Sequence, residues 1–120
     1  MSDGFTIKRD GELERDFGKW VLVRKSLGLD SFGINVVELP PGEAIPEHHE
    51  VDRDHEEVFY VIDGAPTITI DGIDHALEAG AFARLAPEPV RTVRNDGDGV
   101  ARVLIVSAPT KSGYEPMGWA

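Results

Sequence analysis

Short runs of β-branched and aromatic residues recur along this chain, set apart by glycine, proline and aspartate, and this punctuation limits the fold more than any other feature. Ile34–Leu39, Val58–Ile62, Thr67–Ile70 and Val100–Val106 are runs of four to seven residues, the length and composition of β-strands. Between them stand Pro40-Pro41-Gly42, Asp63-Gly64, Asp71-Gly72, Ala79-Gly80 and the stretch from Asn95 to Gly99. Asp71-Gly72, set between Thr67–Ile70 and Ile73–Leu77, is a two-residue hairpin signal, since both residues tolerate the positive φ that a type I′ turn needs. No stretch after residue 32 carries a convincing helical period, and the region from Glu12 to Phe17 fits a helical turn or a loop equally well. Strands at this spacing predict an all-β fold with little helix, a sandwich or a barrel.

At 120 residues the chain is expected to form a single domain, 1–120, around one core. It has no cysteine, which removes disulfides and thiolate ligands, so any metal must be held by imidazole and carboxylate. The first ten residues contain no apolar run, and no later stretch approaches the roughly 18 apolar residues of a membrane span. A cytoplasmic protein that does not contact the membrane is the expectation. The net charge is −10, of which residues 38–63 carry −8. An acidic chain without a basic stripe repels phosphate backbones, so nucleic acid is not an expected partner.

That acidic segment also concentrates the chemistry. Residues 40–64 hold three of the four histidines and eight carboxylates in 25 positions. Strand side chains alternate between faces, so Glu57, Phe59 and Val61 share one face, taken as the interior, and His55 shares their parity. His48 and Glu50 also share a face, which His49 does not. Together, His48, Glu50, His55 and Glu57 offer the nitrogen and oxygen donors that zinc, manganese or iron accepts. His49 and His75 read as surface residues, and Glu43, Glu47, Asp52 and Asp54 as a solvated acidic loop.

Two stretches carry a resemblance. Pro41-Gly42, His48, Glu56-Glu57, the run Val58–Ile62 and Gly64 follow in the order of the first motif of the cupin superfamily. Ala79-Gly80, Leu85-Ala86-Pro87 and Arg91 through Asn95 are similar to its second motif, so that together the motifs span 40–95. The resemblance implies a small antiparallel jelly-roll β-barrel that pairs as a homodimer, with a divalent metal held by two histidines and a glutamate of the first motif and a histidine of the second. Here Glu50 stands where the second histidine is expected, and the long interval from His48 to Glu57 requires a loop or bulge through Val51, Asp52, Arg53 and Asp54. At the second-motif histidine position stands Arg91, whose guanidinium has no lone pair for a cation. Arg91 either pairs with Glu57 in place of an ion or reaches past it to hold a ligand's carboxylate or phosphate in bidentate fashion. Leaving either member of a buried Glu–Arg pair alone costs roughly 3 to 5 kcal/mol, which favours pairing over a tightly bound metal.

Three functions follow. The first is a small-molecule-binding barrel whose pocket is anchored by His48, Glu57 and Arg91, with Phe59 in its apolar wall. The alternative is a metal-dependent enzyme of the dioxygenase, isomerase or decarboxylase type, with iron, zinc or manganese on His48, His55 and Glu57. A third is metal-free catalysis with His48 or His55 as general base. The aromatic and proline-rich tail, 107–120, is expected to dock on its own barrel or on a partner subunit. Trp20 is expected in the core or at a dimer interface.

Overall fold

The alternating runs become two antiparallel sheets in the computed structural model, which describes residues 4–120. A 3-10 turn at Asp10–Glu12 precedes β1 (Arg15–Asp16) and β2 (Trp20–Val21), and the single turn of α1 (Val23–Leu27) leads into β3 (Gly33–Leu39). Then come β4 (His55–Asp63), β5 (Thr67–Ile70), β6 (Ile73–Ala76), β7 (Phe82–Leu85), β8 (Arg91–Arg94) and β9 (Ala101–Pro109). One sheet has the order β1-β2-β3-β9-β4-β7 and the other β6-β5-β8. Residues 42–50 extend the smaller sheet: they pair antiparallel with β8 through bridges Ala44–Arg94 and His48–Arg91, with hydrogen bonds from Ile45 N to Val93 O and from Arg91 N to His48 O. The all-β jelly-roll expectation is met.

Between the sheets lies a core of Val37, Leu39, Ile45, Phe59, Ile68 and Leu85 with Val93, Val103 and Ile105. In β4 the odd-numbered residues from His55 to Val61 are buried and Val58 is exposed, so the parity read from the sequence sets the inner face. Asp71 and Gly72 adopt φ of 48° and 79°, as the hairpin requires. Residues 51–54 form a turn, with Asp54 at φ 55°, and absorb the extra length between His48 and Glu57.

Four strands were not foreseen: β1, β2, β7 and β8. The first two have only two residues each, too few to show a period. β7 places Phe82 outward and β8 places Arg91 inward, against the usual rule of apolar in and polar out. No helix among the described residues is long and apolar enough to cross a membrane.

Candidate functional site

Register brings the polar residues together. Across the larger sheet Gly33, Ser107, Glu57 and Leu85 lie in one row, and Asn35, Ile105, Phe59 and Ala83 in the next. Facing residues on neighbouring antiparallel strands share a side of the sheet, so Glu57 sits beside Ser107 and over the apolar floor made by Phe59 and Ile105. The segment 42–50 closes over this floor from the opposite sheet and contributes Ile45, His48 and Glu50. Between them is a cavity of about 340 Å³. Glu57, Glu50, His48, His55, Arg53 and Asn35 supply its polar lining, and Trp20, Phe59, Ile105, Met117 and Trp119 its apolar lining.

His48 Nδ1 lies 2.8 Å from the carbonyl of Pro46. A carbonyl can only accept, so Nδ1 donates, and in the neutral ring Nε2 keeps the lone pair. That nitrogen is 3.6 Å from Glu50 Oε2, while Glu50 Oε1 is 3.6 Å from His55 Nδ1. One donor atom each from His48, Glu50 and Glu57 lies within 4.8 Å of the others. His55 stands outside that group: it backs Glu50 and stacks on Tyr114 at 5.7 Å. Burial lowers the His55 pKa, with Arg53 adding to the effect, against the pull of Glu50 and Asp54.

Arg91 is fully buried, and its guanidinium settles one of the open choices. Nη1 donates to the carbonyls of Pro87 and Pro89 and Nη2 to that of Ala86, at 2.6 to 3.1 Å. Only Nε turns to Glu57, 3.4 Å from Oε1. Neither of these two atoms has a hydrogen bond. The bidentate grip on a ligand is therefore unavailable, because the fork is already occupied by three carbonyls; Arg91 acts from behind Glu57 and does not line the cavity. Burial pushes the Glu57 carboxyl up to about 7, the charge of Glu50 adds to this, and Arg91 opposes it.

The tail crosses the open end. Thr110 donates its hydroxyl to Asp54, and Arg53 donates to the carbonyl of Glu115. Trp119 meets Phe17 and Trp20 edge-on at 5.3 and 5.9 Å, and Arg24 Nε donates to the Ala120 carbonyl at 2.7 Å. Gly33 makes room for this strap, since a Cβ there would lie 2.7 Å from Ser107 Oγ and 3.0 Å from the Tyr114 hydroxyl. The tail thus docks on its own barrel, and Trp20 packs against the core at the cavity wall. His49 and His75 are exposed, as expected. Asn35, Ser107 and Tyr114 were missed as site residues. Asn35 could have been found, because it shares the parity of the inward Val37 and Leu39.

A two-sheet antiparallel barrel with an inward histidine–carboxylate cluster at its cavity is the architecture of a small jelly-roll domain. Its sequence matches the Cupin domain family over residues 35–107, and the chain belongs to that family. Protein SchB of Streptomyces halstedii is 34% identical over 90 residues, which are 74% of this chain and 63% of that protein. This chain therefore matches less than two thirds of that relative's length. Among solved structures, a cupin protein from Bacteroides fragilis superposes with a TM-score of 0.77 at 24% identity, covering 97% of this chain and 93% of its own. A sugar phosphate isomerase of the cupin superfamily from Silicibacter pomeroyi gives 0.66 at 26% identity, over 76% of this chain and 59% of its own. A predicted oxalate decarboxylase from Thermotoga maritima gives 0.70 at 20% identity, over 87% and 99%.

Proposed function

We propose that the chain is a small-molecule-binding cupin barrel whose ligand lies in the cavity between Glu57 and the tail. The observation that carries this reading is the combination of a mostly apolar space of about 340 Å³ with a cluster of histidine and carboxylate side chains in its wall, the usual build of a ligand pocket. His48, Glu50 and Glu57 orient the ligand, Phe59 and Ile105 form the floor, and Arg91 holds Glu57 in place. Native mass spectrometry of the purified chain, beside elemental analysis, tests it. The expected result is an organic adduct that disappears when Ile105→Trp fills the cavity. An adduct unaffected by that substitution would place the ligand elsewhere and sink the reading.

A second reading, a metal-dependent enzyme of isomerase or decarboxylase type, is favoured by the three clustered donors. The donor set would fit a divalent ion held by His48, Glu50 and Glu57. Bound there, an ion supplies Lewis acidity toward a substrate oxygen. The isomerase and decarboxylase named among the similar structures lend this reading precedent by fold. Near-stoichiometric iron, manganese or zinc that is lost in Glu57→Ala would establish it over the first. A homodimer is the proposed assembly, supported by the outward pair Tyr60–Phe82, with ring centroids 4.5 Å apart and Phe82 73% exposed. Sedimentation should show a dimer that Phe82→Glu dissociates; a wild-type monomer would refute it.

A further inference from the structure

Two apolar surfaces of this chain stand open to solvent, and they meet at one place. The first is the outward side of the larger sheet, where Val106 and Val58 form one row and Leu104, Tyr60 and Phe82 the next. β4 thus carries apolar residues on both of its sides, the pattern of a strand covered on both faces, while Val58 is 37% and Phe82 73% exposed. β7 is also the last strand of its sheet. Among the described residues, one side of its backbone is therefore unpaired, a ready template for another strand.

The second surface is the segment before the 3-10 turn. Phe5-Thr6-Ile7-Lys8 alternates apolar and polar residues with the period of a strand, yet it belongs to no element, and Phe5 and Ile7 are 69% and 68% exposed. Among the described residues, no backbone hydrogen bond holds Phe5 to Lys8. The root of this arm is fixed on the outward side of the sheet: Asp10 pairs with Arg15 and Arg102, and Arg102 pairs with Glu38 and Asp63 in the row beside Leu104 and Tyr60. The arm does not cover its own sheet, since Phe5, Ile7 and Phe82 all remain in solvent.

A second copy supplies what each surface lacks. Resting on the homodimer reading, we infer that the dimer is made by exchange of these arms: Phe5 to Lys8 of each copy lies along β7 of the other, four residues against four, with Phe5 and Ile7 on the side of Tyr60 and Phe82. Facing residues on neighbouring strands share a side of the sheet, so the strand that adds to the edge also covers the outward rings. A twofold axis makes every such contact twice. Covering Phe5, Ile7, Val58 and Phe82 in both copies takes roughly 900 Å² of apolar surface from water; at an apolar share of about 60% this is an interface of roughly 1,500 Å², within the range of stable, specific dimers.

Sedimentation equilibrium of the full chain tests the exchange. Wild type should be a dimer, and Phe5→Asp/Ile7→Asp should raise its dissociation constant at least about tenfold, the scale of one buried apolar side chain. The circular dichroism spectrum should stay that of wild type, because neither side chain belongs to the core. Isotope-filtered NOE spectra report the contact itself in a dimer mixed from copies with isotope-labelled isoleucine methyls and unlabelled copies: the Ile7 methyls of one copy should meet the Phe82 or Tyr60 ring of the other. Should the variant unfold, these spectra alone decide. A wild-type dimer whose constant moves by less in the folded variant, or whose Ile7 methyls meet no ring of the other copy, overturns the arm exchange and leaves the homodimer reading standing. A wild-type chain that sediments as a monomer overturns both.

Discussion

Arg91 is a charged side chain at 0% exposure, tolerable because each of its nitrogens faces an oxygen. Three carbonyls satisfy the fork, and Glu57 lies 3.4 Å from the remaining Nε. Replacing it by methionine strands an acidic side chain and three loop carbonyls in the interior, so Arg91→Met should cost roughly 3 to 5 kcal/mol in urea unfolding. The double variant Glu57→Gln/Arg91→Met should cost less than the sum of the two singles, because the neutral amide no longer needs a counter-charge. Additive costs would show that the pair is not coupled. Glu57 also predicts a pH dependence. Its folded pKa, about 7, exceeds the ordinary 4.5, so the folded state holds a proton that the unfolded state gives up. Its contribution is favourable below about 4.5 and is lost as pH rises through 7, a change on the order of 2 to 3 kcal/mol. The lowered His55 pKa acts oppositely, removing stability as pH falls below 6.5. Comparing unfolding free energies of wild type and Glu57→Gln between pH 5 and 8 isolates the glutamate; equal slopes would contradict its burial as an ionisable group. The sequence disclosed the inward parity of Glu57, since period two is a backbone property. It did not disclose where the Arg91 fork points, because that depends on carbonyls of a proline-rich loop whose path is set by tertiary contacts.

At the scale of elements, the long strands were legible and the short ones were not. β3, β4, β5 and β9 carry enough β-branched residues to show their period, whereas Arg91-Thr92-Val93-Arg94 alternates two arginines with opposite fates, one buried and one paired with Asp74 and Asp96. Asn95, at the end of that strand, was legible as a motif position, and the structure supplies its reason: Nδ2 donates to Leu39 and Gly99 carbonyls, and Oδ1 accepts from Gly97 N. Two glycines separate what a turn needs from what a close approach needs. Gly64 and Gly72 both have positive φ, 85° and 79°. A Cβ on Gly72 would meet nothing within 4 Å, while one on Gly64 would lie 2.8 Å from the Ala101 Cα and 3.1 Å from the Val100 carbonyl. Gly72→Ala should therefore cost only the left-handed strain, about 1 to 2 kcal/mol. Gly64→Ala adds a clash with backbone that cannot rotate away and should cost at least about 1 kcal/mol more. Equal destabilisation of the two variants in thermal unfolding would show that conformation alone, not the contact between β4 and β9, requires glycine at the motif's end.

Taken whole, the molecule is a barrel closed by its own tail. Residues 110–120 contribute Tyr114, Met117, Trp119 and Ala120 to the cavity wall, and they are tied down at points far apart in sequence: Asp54, Arg53, His55, Phe17, Trp20 and Arg24. Since Tyr114 and Trp119 are only half-buried, their loss removes part of the stabilisation of a fully buried aromatic, together about 2 kcal/mol. Deleting residues 113–120 should lower the melting temperature by roughly 5 to 10 °C without unfolding the sheets, whose hydrogen bonds lie elsewhere. The larger effect should fall on the ligand. With the strap gone, the cavity opens to water and the rings opposite Phe59 are lost, so dissociation should quicken more than association changes. Stopped-flow fluorescence on Trp20, the tryptophan that survives the deletion, measures both rates. A truncated chain that releases its ligand no faster than wild type would show that the tail stabilises the barrel without guarding its cavity.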